Sequence, residues 1–129
     1  MNHEEVAHIA DAIGAEGQQT PLQIAHSLLD QFSIQLVAIT RGSHGSLLVS
    51  RDAVNDHPGI PAHLVDSIGA GDCFTAALTY FSLHHRPLPT LSEAANRWGA
   101  WAASQRGGMP FLDRAFRTYL ETAIEPSET

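Results

Sequence analysis

Three observations predict an α/β fold for this chain. Apolar residues recur at three-to-four spacing near the start, with Val6, Ile9, Ala10 and Ile13 on one stripe. Two short apolar runs, Leu36–Thr40 and Ser46–Ser50, flank a glycine turn. A third run, Ala62–Val65, passes through a glycine-rich turn into the apolar segment Phe74–Leu83. Strands alternating with helical stretches place helices over a sheet.

The elements follow in chain order. His3–Ile13 reads as a helix that Gly14 ends. After a loop at 15–19, Thr20-Pro21-Leu22-Gln23 combines an N-cap, a proline at the first helical position and a capping-box glutamine. Leu22, Ala25, Leu28, Leu29 and Phe32 are the expected apolar face of that second helix. The unbroken run Leu36–Thr40 is expected to be buried on both faces. Residues 41–45 form a turn, Ser46–Ser50 the returning strand, and Arg51–Gly59 a polar link. Ala62–Val65 is the strand entering the glycine turn, and Phe74–Leu83 the helix leaving it. A proline-stiffened loop at 84–89 leads to Thr90-Leu91-Ser92-Glu93, read as a second capping box opening a helix to about Gln105. Gly107-Gly108-Met109-Pro110 stops that helix, and Asp113–Ala123 reads as a last amphipathic helix before a frayed tail.

Composition narrows the class of function. The 129 residues suit one domain, read as 1–129, and 43% apolar content supports a packed core. Net charge is −7 with no Lys/Arg cluster, which argues against a nucleic-acid surface. No apolar run reaches membrane-spanning length, and the polar opening Met1-Asn2-His3-Glu4-Glu5 is not expected to act as a signal peptide. A single cysteine excludes an internal disulfide and fits a reducing compartment, so a cytoplasmic location is expected. The eight histidines show no metal-ligand spacing.

The stretch from Val65 to Phe74 carries the most chemistry. Gly69 and Gly71 allow a tight turn and close backbone approach. The first N–H groups of the helix that follows have no internal partner, and the helix dipole favours an anion there. Asp72 sits in the same turn. An anion hole beside a carboxylate suits phosphoryl transfer to a hydroxyl. The plainer alternative is a glycine turn with a helix-capping aspartate. Cys73 shares the turn. The helix terminus could lower its thiol pKa, but a small buried residue is the favoured reading, and no role is assigned to it.

Asp66-Ser67-Ile68-Gly69-Ala70-Gly71-Asp72 resembles the Asp-Thr-x-Gly-Ala-Gly-Asp signature of the ribokinase-like (PfkB) carbohydrate kinases, with Ser67 keeping the hydroxyl of the threonine. Three further stretches look like that family's motifs in that family's order. Asn2-His3-Glu4-Glu5 looks like Asn-x-x-Glu, Thr40-Arg41-Gly42-Ser43-His44-Gly45 like Thr-x-Gly-x-x-Gly, and Gln105-Arg106-Gly107-Gly108-Met109-Pro110 like Thr-Arg-x-Gly-Ala-x-Pro. The resemblance implies Asp72 as catalytic base and an anion hole of Gly69, Ala70 and Gly71. It implies nucleotide contacts from Asn2, Thr40, Gly42, Ser43, Gly45 and Asn96, the last on the adenine or ribose side. Glu5 would hold Mg²⁺ through water, and Asp66, Ile68, Ala102, Gln105 and Gly107 would offer carbonyls to a monovalent cation such as K⁺. ATP and Mg²⁺ are the implied cofactors, and a small sugar, as for a fructokinase or ribokinase, the implied substrate. Each motif also has a bland reading: first-turn acid, hairpin turn, surface asparagine.

The resemblance covers only the C-terminal half of the ribokinase-like three-layer α/β/α fold. The family's N-terminal half supplies the sugar pocket, the lid and an early Gly-Gly signature, none of which this sequence shows. A fragment of a kinase, half of a split enzyme and a degenerate half kept for nucleotide binding or assembly all remain open. Half a wound sheet would leave an unpaired edge and uncovered apolar surface. The expected partner is therefore a second copy of the chain or a complementary half.

Overall fold

The first helix starts and stops by backbone chemistry that its flanking residues supply. Asn2 Oδ1 accepts the N–H groups of Glu4 (3.0 Å) and Glu5 (2.9 Å), and the Glu5 carboxylate accepts the Asn2 N–H at 2.9 Å. Helix α1 then runs Glu5–Ala12 and buries Val6 and Ala10. It ends at Gly14, whose φ of +73° turns the chain left-handed. There the Gly14 and Ala15 N–H groups return to the Asp11 and Ala10 carbonyls, a Schellman ending. In this computed structural model the residues described are 1–15, 17, 19–106, 114, 117 and 118. The chain divides into two compact units, Met1–Gly59 and Ile60–Thr129.

In the first unit, α2 (Pro21–Gln31) opens on the reciprocal cap read from the sequence. Thr20 Oγ1 accepts the Gln23 N–H at 3.2 Å, and Gln23 Oε1 accepts the Thr20 N–H at 2.9 Å. Three antiparallel strands follow in the order β1 (Leu36–Thr40), β2 (Ser46–Ser50) and β3 (Val54–His57). Ala38 pairs with Leu48, and Leu48 with Asn55. Both helices lay their apolar stripes on the face carrying Val37, Ile39, Leu47 and Val49, joined by Val6, Ala10, Ile24, Ala25, Leu28 and Leu29. Each fully buried Leu, Ile or Val there contributes about 1.5–3 kcal/mol.

The second unit pairs α3 (Ala70–Leu83) with α4 (Leu88–Ala103). Phe74 and Ala77 of α3, and Leu91, Ala94, Ala95, Trp101 and Ala102 of α4, are its buried apolar residues. Gly99 allows a close approach: a Cβ there would lie 3.4 Å from the Ala70 carbonyl oxygen. Among the described residues, no helix is long and apolar enough to cross a membrane.

Several expectations need correction. Ala62–Val65 forms no strand. The N–H groups of Val65 and Asp66 both donate to the Ala103 carbonyl, at 2.9 and 3.1 Å, and Leu64 and Val65 are exposed. The helix after the glycine turn starts at Ala70, four residues earlier than Phe74. Thr90–Glu93 is no capping box, because α4 already begins at Leu88. Pro89 has the pre-set φ of a first turn, and the Thr90 N–H donates to the Pro87 carbonyl. β1 is buried on one face only, since its neighbour is antiparallel and residues alternate. The polar link hides β3, whose alternate residues Val54 and Asp56 face solvent. Ile24 replaces the half-exposed Leu22 and Phe32 on the α2 core face. Arg114, Arg117 and Thr118 are helical. The stop at 107–110, the remainder of the last helix and the tail lie outside the described residues.

Candidate active site

The glycine turn resolves into a chain of short backbone bonds that aims α3. Asp66 Oδ1 accepts the Ile68 N–H at 2.9 Å, and the Ser67 carbonyl accepts the Ala70 N–H at 3.2 Å. Gly69 then takes φ +82°, a conformation that costs a residue with a Cβ about 1 kcal/mol. The Cys73 N–H closes the first helical bond onto the Gly69 carbonyl at 3.0 Å. Among the described residues the N–H groups of Gly71 and Asp72 have no acceptor, as expected at a helix start. Among the described residues the Gly69 N–H has no acceptor either, so the donors available to an anion are those of Gly69, Gly71 and Asp72. The Ala70 N–H, expected to join them, is turned inward to Ser67.

Asp72 is exposed in the first turn of α3. It shares that turn with the open N–H groups, and nothing lies within 4 Å of where a Cβ on Gly71 would be. Cys73 fits the reading of a small buried residue and not that of an activated thiol. Burial, and then the negative charge of Asp72, push its thiol pKa up rather than down. The thiol is a small, partly buried packing residue and a poor nucleophile at neutral pH.

The amides of Val65 and Asp66 tie the start of this turn to the C-terminal end of α4, so Asp66 lies against the helix end carrying Ala102 and Gln105. Carbonyls at a helix C-terminus suit a cation. The Ala102 carbonyl already accepts the Gln105 N–H at 3.1 Å. Gly107, the fifth residue of the expected cation set, lies outside the described residues. Asn96 is buried on α4, not at the surface, and its Nδ2 donates to the Ser92 carbonyl at 2.7 Å.

The first unit gathers its own expected residues. Asn2 forms a parallel bridge with Thr40, the His3 N–H donates to the Thr40 carbonyl at 2.9 Å, and Thr40 Oγ1 lies 3.4 Å from the Met1 carbonyl. The cap of α1 with Asn2 and Glu5, and the end of β1, are thus neighbours. The 3-10 turn Gly42–His44 follows, ending at Gly45 with φ +85°. A Cβ on Gly45 would collide with the His57 carbonyl oxygen and lie 2.6 Å from the Pro58 carbonyl carbon. Sequence reasoning missed Arg41 and Asp56. Arg41 Nη2 donates to the Ser46 carbonyl (3.0 Å), the His57 carbonyl (3.0 Å) and Asp56 Oδ1 (2.5 Å). Donation from Arg41 holds the Asp56 carboxyl below the usual carboxylate range. No local pattern joins residues 15 apart, and only the strand register brings them together. Among the described residues no cluster of His, Cys, Asp and Glu could hold a metal without outside ligands.

Comparison with known proteins gives these turns a context. The family profile described as pfkB family carbohydrate kinase matches residues 1–114. The chain is 36% identical over 125 residues to ATP-dependent 6-phosphofructokinase isozyme 2 of Mycobacterium tuberculosis, covering 95% of this chain and 37% of that protein. Its backbone is similar to ribokinase from Thermotoga maritima, with TM-score 0.77 at 20% identity, over 97% of this chain and 41% of that one. It is also similar to a ribokinase II from Escherichia coli solved with ATP and Mg²⁺, with TM-score 0.75 at 26% identity, over 96% of this chain and 37% of that one. The architecture is thus that of the ribokinase-like α/β fold, and the chain spans little more than a third of the length of the curated relative it matches.

Proposed function

The chain belongs to the pfkB family of carbohydrate kinases, and on that premise we propose that it is the nucleotide-side portion of an ATP-dependent sugar kinase. The observation that carries the reading is the start of α3, where open backbone N–H groups and an exposed aspartate share one turn. That arrangement fits the family's chemistry from both sides. The N–H groups of Gly69, Gly71 and Asp72 attract phosphate oxygens and take up charge on a transferring phosphoryl group. The Asp72 carboxylate accepts the proton of the attacking sugar hydroxyl as its oxygen bonds the γ-phosphorus and the bond to ADP breaks. Asp66, by capping the Ile68 N–H, fixes the turn that aims both.

Asn2, Thr40, Gly42, Ser43, Gly45 and Asn96 are assigned to the nucleotide. Mg²⁺, when bound, would neutralise phosphate charge. Glu5 fits it as an exposed hard-oxygen donor acting through water, although one carboxylate oxygen already caps Asn2. Asp66, Ile68, Ala102 and Gln105 are the described members of the proposed monovalent-cation set, and their fit rests on the helix-end carbonyls. The wider protein's sugar, its cytoplasmic location and any partner copy or complementary half belong to the same proposal.

The test is phosphoryl transfer from γ-labelled Mg·ATP to a panel of ketoses and pentoses by the purified chain and by Asp72→Asn. The reading expects transfer to at least one sugar, reduced about 10²–10⁴-fold in the variant with Mg·ATP affinity kept within about twofold. Equal turnover in the variant removes Asp72 from the mechanism. Binding of Mg·ATP with no transfer to any sugar reduces the chain to a nucleotide-binding module.

A further inference from the structure

We infer that Arg41 and Asp56 are positioning residues for the Thr40–Gly45 turn, a conclusion that rests on reading that turn as the nucleotide-binding one. The turn is already closed locally: the Arg41 N–H donates to the Gly45 carbonyl at 2.9 Å and the His44 N–H to the Arg41 carbonyl at 3.1 Å. Such a turn needs no outside support to exist. Its placement is another matter, because small backbone displacements spoil contacts to a ligand.

Two features set that placement. The segment after β3 lies on the turn, backbone against backbone. Neither partner has room for a side chain: a Cβ on Gly59 would sit 2.6 Å from the Ser43 carbonyl oxygen and 2.9 Å from the Gly45 nitrogen. The Gly59 N–H donates to His57 Nδ1 at 3.0 Å, which fixes this segment in turn. Arg41 then crosses β2 to reach the end of β3, where one guanidinium nitrogen meets Ser46, Asp56 and His57 together. The first residue of the turn is thereby tied to the strand end on which the turn rests.

Magnitude separates positioning from stabilisation. The Asp56 side chain is 66% exposed and that of Arg41 30%, and exposed ion pairs add little to folding stability. Removing the pair should leave the unit folded and let the turn shift. Arg41 Nε is buried with no partner among the described residues, so the side-chain hydrogen bonds that orient the guanidinium tip are those of Nη2.

The experiment compares the full chain with Arg41→Ala, Asp56→Asn, the double variant and Arg41→Lys. It records amide hydrogen exchange at Gly45, thermal unfolding and the calorimetric affinity for Mg·ATP. The expected result is faster exchange at Gly45 and about fivefold weaker Mg·ATP binding in each single variant. The double variant should be no weaker than either single one. Arg41→Lys should recover affinity to within about twofold, since an ammonium keeps the charge and three donors. Unfolding midpoints should stay close to that of the parent chain. Unchanged Gly45 exchange, or faster exchange with unchanged affinity, overturns the inference. A parent chain that binds no Mg·ATP overturns the nucleotide reading and this inference with it. The exchange data then show separately whether the brace itself holds the turn.

Discussion

Replacing Gly45 by alanine puts the described geometry of the β1–β2 turn at risk in a calculable way. Gly45 has φ +85° and ψ −139°, a region in which a residue with a Cβ is strained by about 1–3 kcal/mol. The new methyl would also collide with the His57 carbonyl oxygen and the Gly59 nitrogen, which are backbone atoms that cannot swing aside. Overpacking of that kind costs about another 1–3 kcal/mol. The sum, about 2–6 kcal/mol, is a large fraction of a typical stability of about 5–15 kcal/mol. Gly42 is the control. Its φ is +58°, but a Cβ there meets nothing within 4 Å, so alanine costs only about 1 kcal/mol. Urea unfolding of both variants, followed by far-ultraviolet circular dichroism, measures the difference. A Gly45→Ala variant within about 1 kcal/mol of Gly42→Ala would refute the backbone-on-backbone contact between the turn and residues 57–59.

Two further outcomes follow from single residues. Thr20→Ala removes the acceptor of the Gln23 N–H and should cost about 1 kcal/mol in urea unfolding, whereas Thr20→Ser should cost a few tenths at most. Burial and the Asp72 charge raise the Cys73 pKa, so less thiolate exists at neutral pH than in a free cysteine. Alkylation by iodoacetamide at pH 7 should therefore run slower than for a cysteine peptide and speed up in Asp72→Asn. A faster parent rate would reverse the sign of that argument.

The parts of the fold legible in the sequence were those fixed by local chemistry. Thr20 and Gln23 cap α2 as their spacing demands, and Leu36–Thr40 and Ser46–Ser50 form strands with the bounds read from their apolar runs. Val54–His57 was illegible because half of an outer strand faces water, and Asn55 and Asp56 read as turn residues. Ala62–Val65 looks like a strand by composition. A strand needs a partner ladder, though, and its last amides go to the end of α4 instead. At the site, Asp72 and the glycines were readable from one contiguous stretch. Which N–H groups stay open was not, since that depends on helix α3 starting at Ala70 and on Ser67 taking the Ala70 N–H. The Arg41–Asp56 brace exists only through the register of β2 with β3.

The most direct test of the account is a calorimetric titration of the folded chain with Mg·ATP beside one with adenosine. If the open amides at the start of α3 serve phosphates, Mg·ATP binds in the range of about 1 µM to 1 mM and adenosine far more weakly at the same concentrations. Adenosine binding as tightly as Mg·ATP, or a folded chain that takes up neither, would contradict the central claim that this turn is a phosphate site.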